Sequence, residues 1–330
     1  MLRRTLILAG ASLAAVAGCG KSEQKTVRIG IIAGDLVAPH EEEALIAGLR
    51  EQGMIEGRNL VIERRYSNGR LDTVLAGAQE LAGLKLDAVI STCTPTTLVA
   101  QKVFGTTPAS TPIVMAAVAD PVGQKIIASL ARPGANVTGL ASQATDVVPK
   151  KLGLFAALLP PKPVIAVLMD ASSNVHPPMW RIMEEAAKPL GIRLLQVQAG
   201  RKPGQPSLSA PFDLAVSQQA NGIFVLADEP FFFTSRVEIV ELAARHRLPA
   251  FYGLREFVDA GGLMSYGESM RAAFKGVAGY VARIAAGDKP EAMPVVQPTV
   301  FELVINQKAA KALGITVPQD VLLSANSVIE

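Results

Sequence analysis

Thr94-Pro95-Thr96-Thr97 follows an apolar run and sets three hydroxyls beside the open amides of a helix start. Thr94 suits the N-cap and Pro95 the first helical position, where a missing N–H costs nothing. The free amides of Thr96 and Thr97 and their hydroxyls are then expected to face a cleft, which suits a carboxylate or another anion. The same residues could equally do no more than cap their helix. Four carboxylates, Asp35, Asp120, Asp170 and Asp228, stand at comparable places after other apolar runs. Each could hold an ammonium or a hydroxyl, or could stabilise its own turn. Ser142 and Asn174 add further side-chain donors and acceptors after two of these runs. Tyr252 and Tyr266 could stack on an apolar or aromatic ligand, or simply pack. Phe231, Phe232 and Phe233 read as core before they read as a ligand platform.

These residues form a binding set rather than a catalytic one. The chain has no P-loop with its lysine, no Gly-x-Gly-x-x-Gly after the first strand and no Gly-x-Ser-x-Gly. Cys-x-x-Cys and His-Glu-x-x-His are missing too, so no cofactor and no metal are implied. The histidines His40, His176 and His246 are far apart in sequence. His40 precedes Glu41-Glu42-Glu43, but consecutive helical residues point in different directions, and the acids suit a helix N-terminus. His246, between Arg245 and Arg247, suits a helix C-terminus. Cys93 reads as a small buried thiol. An acid–base enzyme using Asp35, Asp120 or Asp170 would lack a nucleophile, a metal set and a cofactor motif, and is the weakest reading.

Residues 1–19 place this set in a cellular compartment. Arg3 and Arg4 precede the uncharged run Thr5 to Ala17, and small residues lead to Val16-Ala17-Gly18-Cys19. The run is too short for a stable membrane-spanning helix, which needs roughly 20 apolar residues. It reads as a secretory signal peptide over residues 1–18. The ending resembles the bacterial lipobox, in which the cysteine is lipidated and becomes the new N-terminus. Residues 19–26 read as a polar tether, and the body is expected outside the cytoplasmic membrane, anchored by a lipid on Cys19.

Composition agrees with a packed globular body. Of 330 residues, 49% are hydrophobic and only 18% charged, which excludes a disordered chain. A net charge of +3 with scattered Lys and Arg gives no footprint for nucleic acid. The chain has two cysteines, Cys19 and Cys93, so the mature monomer can form no internal disulfide.

The elements that must position the polar residues alternate in type. Apolar runs predict strands at Val27–Ala33, Leu60–Arg64, Ala88–Thr92, Ile113–Val118 and Val137–Leu140. Helical spacing fills Glu41–Gln52 and Leu71–Leu84. A second series places strands at Val164–Met169, Leu194–Gln198, Gly222–Leu226 and Pro249–Phe251. Its helices are Met179–Leu190, Leu208–Gln219 and Val237–His246. Such alternation implies an α/β protein with two doubly wound parallel-sheet lobes. Gly261–Tyr266, Arg271–Ala286 and Phe301–Leu313 are expected to return and complete them. The expected lobes are 27–143 with 262–292, and 144–261 with 293–330. Ligands of open parallel sheets sit beyond the strand C-termini, so two facing lobes make a hinged cleft for a small molecule.

The loops also carry a resemblance. It rests on Gly53-Met54-Ile55-Glu56-Gly57-Arg58-Asn59, Asp120-Pro121-Val122-Gly123, Ser129 to Gly139 and Ala243-Ala244-Arg245-His246-Arg247-Leu248-Pro249. Ala260-Gly261-Gly262-Leu263-Met264-Ser265-Tyr266-Gly267 and Thr299 to Asn306 extend it over nearly the whole mature chain. Together they resemble the ABC-transporter substrate-binding proteins related to tryptophan- and tyrosine-binding lipoproteins. The resemblance implies the type I periplasmic-binding-protein fold, a small solute between the lobes, and no enzymatic activity. An amino acid, aromatic in the leading case, is the implied solute. A permease and its ATPase are the implied partners, and the receptor is expected to be a monomer. A sensory module presenting ligand to a membrane receptor is the alternative. A cytoplasmic repressor is disfavoured, because a signal rather than a DNA-binding helix pair precedes Val27.

Overall fold

Val27–Ala33 (β1) is apolar at most positions and buried on both faces, as a central parallel strand must be. The computed structural model describes residues 26–330 apart from 35–38, 68–69, 108, 144–145, 172, 174–175, 203–204 and 227–229. Cys19, Asp35, Asn174 and Asp228 lie outside the described residues.

The first series continues with α1 (Pro39–Glu51), β2 (Leu60–Tyr66), α2 (Leu71–Ala82), β3 (Ala88–Ser91), α3 (Thr94–Phe104), β4 (Ile113–Ala119) and β5 (Val137–Ser142). The second begins with α4 (Val148–Ala156), β6 (Val164–Asp170), α5 (His176–Ala187), β7 (Arg193–Lys202) and β8 (Gln205–Ser207). It goes on through α6 (Ser209–Ser217), β9 (Gly222–Val225), α7 (Pro230–Thr234), α8 (Arg236–Arg245) and β10 (Ala250–Tyr252). After α9 (Arg255–Asp259) and β11 (Met264–Glu268) come α10 (Met270–Ala285) and a 3-10 turn, Pro290–Ala292. β12 (Phe301–Asn306), α11 (Gln307–Leu313), α12 (Gln319–Leu323) and β13 (Ser327–Ile329) end the chain.

Two sheets result, in the orders β2-β1-β3-β4-β5 and β13-β12-β11-β10-β9-β6-β7-β8. Helices cover both faces of each. On the first sheet, Leu45, Leu49, Phe274 and Val277 from α1 and α10 seal one face. Val74, Ala78, Leu81 and Ala100 from α2 and α3 seal the other. The second sheet carries Phe212, Phe232, Ile239 and Phe257 on one side, and Leu152, Phe155, Met179 and Met183 on the other. The first sheet is all parallel, whereas in the second β12 opposes β11 and β8 opposes β7. Among the described residues no helix is long and apolar enough to cross a membrane.

The returning segments divide differently from the expectation. Met264–Glu268 does not return to the first lobe at 262; it pairs between β10 and β12 in the second sheet. Its alternating side chains need apolar cover on both faces, and Met264 and Tyr266 find it beside Phe251 and Leu303. The chain crosses to the first lobe only at Ser269, between β11 and α10. Nor does the second lobe resume at 293. Met293 and Val295 lie in the first lobe's cores, and Val296 pairs with Leu140. Three connections therefore join the lobes, after Ser142, at Ser269 and between Val296 and Phe301.

The exposed edge of the first sheet is guarded by charge. On edge strand β2, Arg64 holds Glu56 through two bonds of 2.7 and 3.0 Å and reaches Glu42 at 2.5 Å. Such pairs blunt edge-to-edge association. The Tyr66 hydroxyl donates to Glu42 at 3.0 Å, and burial, with that carboxylate beside it, pushes the phenol up to about 12.

Candidate functional site

β3 delivers its last residues to opposite faces. Val89 and Ser91 face α2 and α3, so Ile90 and Thr92 face the α1 side. The Ser91 hydroxyl lies 2.7 Å from that of Thr97, which also donates to the Cys93 carbonyl at 2.9 Å. Thr96 accepts from the Cys93 amide at 3.1 Å and donates to the same carbonyl at 2.9 Å. The N-cap is therefore Cys93 rather than Thr94, and Pro95 stands one place deeper than expected. The physical reason is the fully extended backbone of Cys93, which lets Thr96 reach back to it. Thr96 and Thr97 are fully buried and knit the loop together, and the Thr97 amide is itself bound to the Cys93 carbonyl. Cys93 is half-buried.

Thr94 links this helix start to the next strand end. Its hydroxyl accepts from the Ala119 amide at 3.2 Å, which fixes the turn at Asp120 beside α3. Asp120 is exposed and takes a left-handed φ of 43°, where its carboxylate accepts from the Gly123 amide at 2.9 Å. One carboxylate oxygen thus holds the turn. Ser142 is half-buried at the end of β5 on the same edge.

Thr92 was not singled out by sequence reasoning. Its hydroxyl is buried at the C-terminal edge of β3 and has no hydrogen-bond partner among the described residues. The signal was available, because strand alternation turns Thr92 away from the face that Ser91 uses.

On the second lobe, Asp170 is buried at the end of β6, and its amide donates to His176 Nδ1 at 2.8 Å. In that bond Nδ1 of His176 is the acceptor. Its ring stacks on Phe232 at 5.9 Å. Phe231, Phe232 and Phe233 all lie in the core. Among the described residues no group of three or more His, Cys, Asp or Glu could hold a metal.

The two tyrosines sit on opposite faces of the second sheet. Tyr266 is buried, stacks on Phe301 at 5.8 Å, and its hydroxyl accepts from Lys150 at 2.9 Å. Lys150 signals nothing in the sequence, because only the fold brings α4 to β11. Tyr252 stacks on Phe257 at 4.8 Å and has no exposed surface, so it packs core rather than offering a face to a ligand. Its hydroxyl has no partner among the described residues, and burial pushes the phenol far up. A buried hydroxyl without a hydrogen bond is a net cost, so Tyr252→Phe should stabilise the fold by about 1 kcal/mol. Thermal unfolding checks this; a lower melting temperature would mean that the hydroxyl has a partner in solution.

Two α/β lobes joined by three connections, with polar loops at the C-terminal strand ends, have the architecture of a two-lobed binding protein. The chain belongs to the ABC transporter substrate-binding protein family, whose model matches residues 31–329. It is 24% identical over 295 residues to a tyrosine-binding protein of Clostridioides difficile, covering 88% of this chain and 81% of that one. Among solved structures, a conserved domain protein from Vibrio cholerae is 27% identical with a TM-score of 0.80, over 92% of this chain and all of that one. A Streptococcus ABC domain in complex with L-Trp has the same fold, with a TM-score of 0.79 at 23% identity over the same shares. The family binds substrate for a transporter; it does not convert it.

Proposed function

We propose that this protein captures an amino acid, with an aromatic side chain in the leading case, and hands it to an ABC permease driven by its ATPase. The observation that carries the reading is the Thr94–Ala119 bond, which sets a helix N-terminus and a carboxylate side by side on one strand edge. A zwitterion needs such a pair: donors for its carboxylate, here the Thr94 amide with the Thr92 hydroxyl, since Thr96 and Thr97 spend their amides on Cys93, and an acid for its ammonium. Ser142 and Asp170 flank the cleft from β5 and from the second lobe. The names of the tyrosine-binding relative and of the tryptophan complex support the same solute class.

The receptor acts as a monomer outside the cytoplasm, held by a lipid on Cys19. Cys19→Ser should abolish lipid labelling and release the protein from membranes; a labelled, membrane-bound variant would refute the anchor. The solute is tested by thermal shift of the mature protein against L-tryptophan, L-tyrosine, other amino acids, sugars and nucleosides, since binding to the folded state raises its stability. Stabilisation by sugars or nucleosides and by no amino acid would overturn the reading.

A further inference from the structure

A cavity of about 360 Å³ lies at the lobe crossing, and its walls belong to different lobes. Arg271 stands on the first-lobe wall, one residue into α10, a helix whose Phe274 and Val277 are anchored in the first lobe's core. Opposite stand Arg255 and Asp259 of α9 with Glu302 of β12, all second-lobe elements. Arg255 is already committed there, 3.3 Å from Asp259 and 3.7 Å from Glu302. Glu268, the last residue of β11, adds another carboxylate to the lining. The second-lobe wall is therefore net negative. Arg271 is exposed, and its side chain makes no hydrogen bond or ion pair among the described residues.

The floor between the walls is the connection itself. Ser269 caps α10 through the Ala272 amide at 3.4 Å, and its own amide donates to the Val300 carbonyl at 3.1 Å. Two of the three connections are thus joined side by side beneath the cavity. Because each wall is fixed to its own lobe's core, the gap between Arg271 and the carboxylates changes width when the lobes rotate about this floor.

We propose that Arg271 and the carboxylates facing it form an electrostatic spring that biases the lobe angle of the empty receptor. Attraction across the gap favours the arrangement in which it is narrow; reversing the charge at Arg271 favours the wide one. Charges that face each other across water are screened over about 8 to 10 Å at ordinary ionic strength, so the bias is strong in dilute buffer and fades in salt. The device sets how readily the cleft closes.

Small-angle scattering of the ligand-free mature protein tests this, with wild type, Arg271→Ala and Arg271→Glu compared in dilute buffer and in about 1 M salt. The expected result is a graded change in radius in dilute buffer, Arg271→Glu shifting further than Arg271→Ala, with the three converging in high salt. The populations of the two lobe arrangements should shift several-fold. Arg271 is exposed, so thermal unfolding should stay near wild type and exclude misfolding as the cause. Superimposable profiles in dilute buffer, or a difference that high salt leaves intact, would overturn the proposal. No solute is required, so the outcome is independent of the amino-acid reading.

Discussion

Gly139→Ala should be the most damaging single-methyl change in the first lobe, lowering its stability by about 3 kcal/mol through backbone strain and overpacking. Gly139 has a φ of +121°, a conformation that side chains of L-residues rarely adopt. A Cβ there would stand 2.3 Å from the Met115 carbonyl oxygen and 2.6 Å from its nitrogen. Both are main-chain atoms of the paired strand β4, so no rotamer change can make room. The pairing of β4 with β5 is already irregular between Met115 and Val118, and the close approach at Gly139 belongs to that irregularity. The Gly139 carbonyl also accepts from the Val296 amide at 3.1 Å, which ties the returning chain to the first lobe. Urea and thermal unfolding measure the effect. Gly153 is the control, because a Cβ there meets nothing within 4 Å and its helical site favours alanine. Equal stabilities for Gly139→Ala and wild type would show that β4 can shift freely.

The alternation of apolar runs and helical spacing located the paired strands of the first sheet and β6, β7, β9 and β10 of the second, because buried parallel strands carry that pattern locally. Sheet membership is not local. Met264-Ser265-Tyr266 reads as a strand in any context, yet only its register with Phe251 on one side and Ile305 on the other assigns it to the second lobe. The same gap separates the site's position from its contacts. Strand ends were legible at Thr94, Asp120 and Ser142, whereas side-chain direction was not. Thr96 and Thr97 turn inward because Cys93 is extended, and Tyr252 and Tyr266 part company because their strands present them to opposite faces. Hydroxyls and rings draw the eye in a sequence, but only the pairing decides which of them reach a ligand.

Asp120 is where that distinction can be measured. Its carboxylate does two jobs in the proposed complex: one oxygen accepts from Gly123, and the charge pairs with the solute's ammonium. Asp120→Ala would confuse the two, because it removes the turn's acceptor and places a residue poorly suited to φ of 43°. Asp120→Asn separates them. Asparagine tolerates the left-handed conformation and keeps an acceptor oxygen for Gly123, so the melting temperature should stay near that of wild type. What it loses is charge. Closing the cleft would take the ammonium out of water, and a charged hydrogen bond without its charge then costs on the order of 2 kcal/mol, roughly 30-fold in affinity. Calorimetric titration with L-tryptophan or L-tyrosine, whichever stabilises the wild type more, gives the answer. A 30-fold weaker Kd with unchanged melting assigns the ammonium to Asp120. Equal affinities would remove Asp120 from the site and direct the same substitution to Asp170.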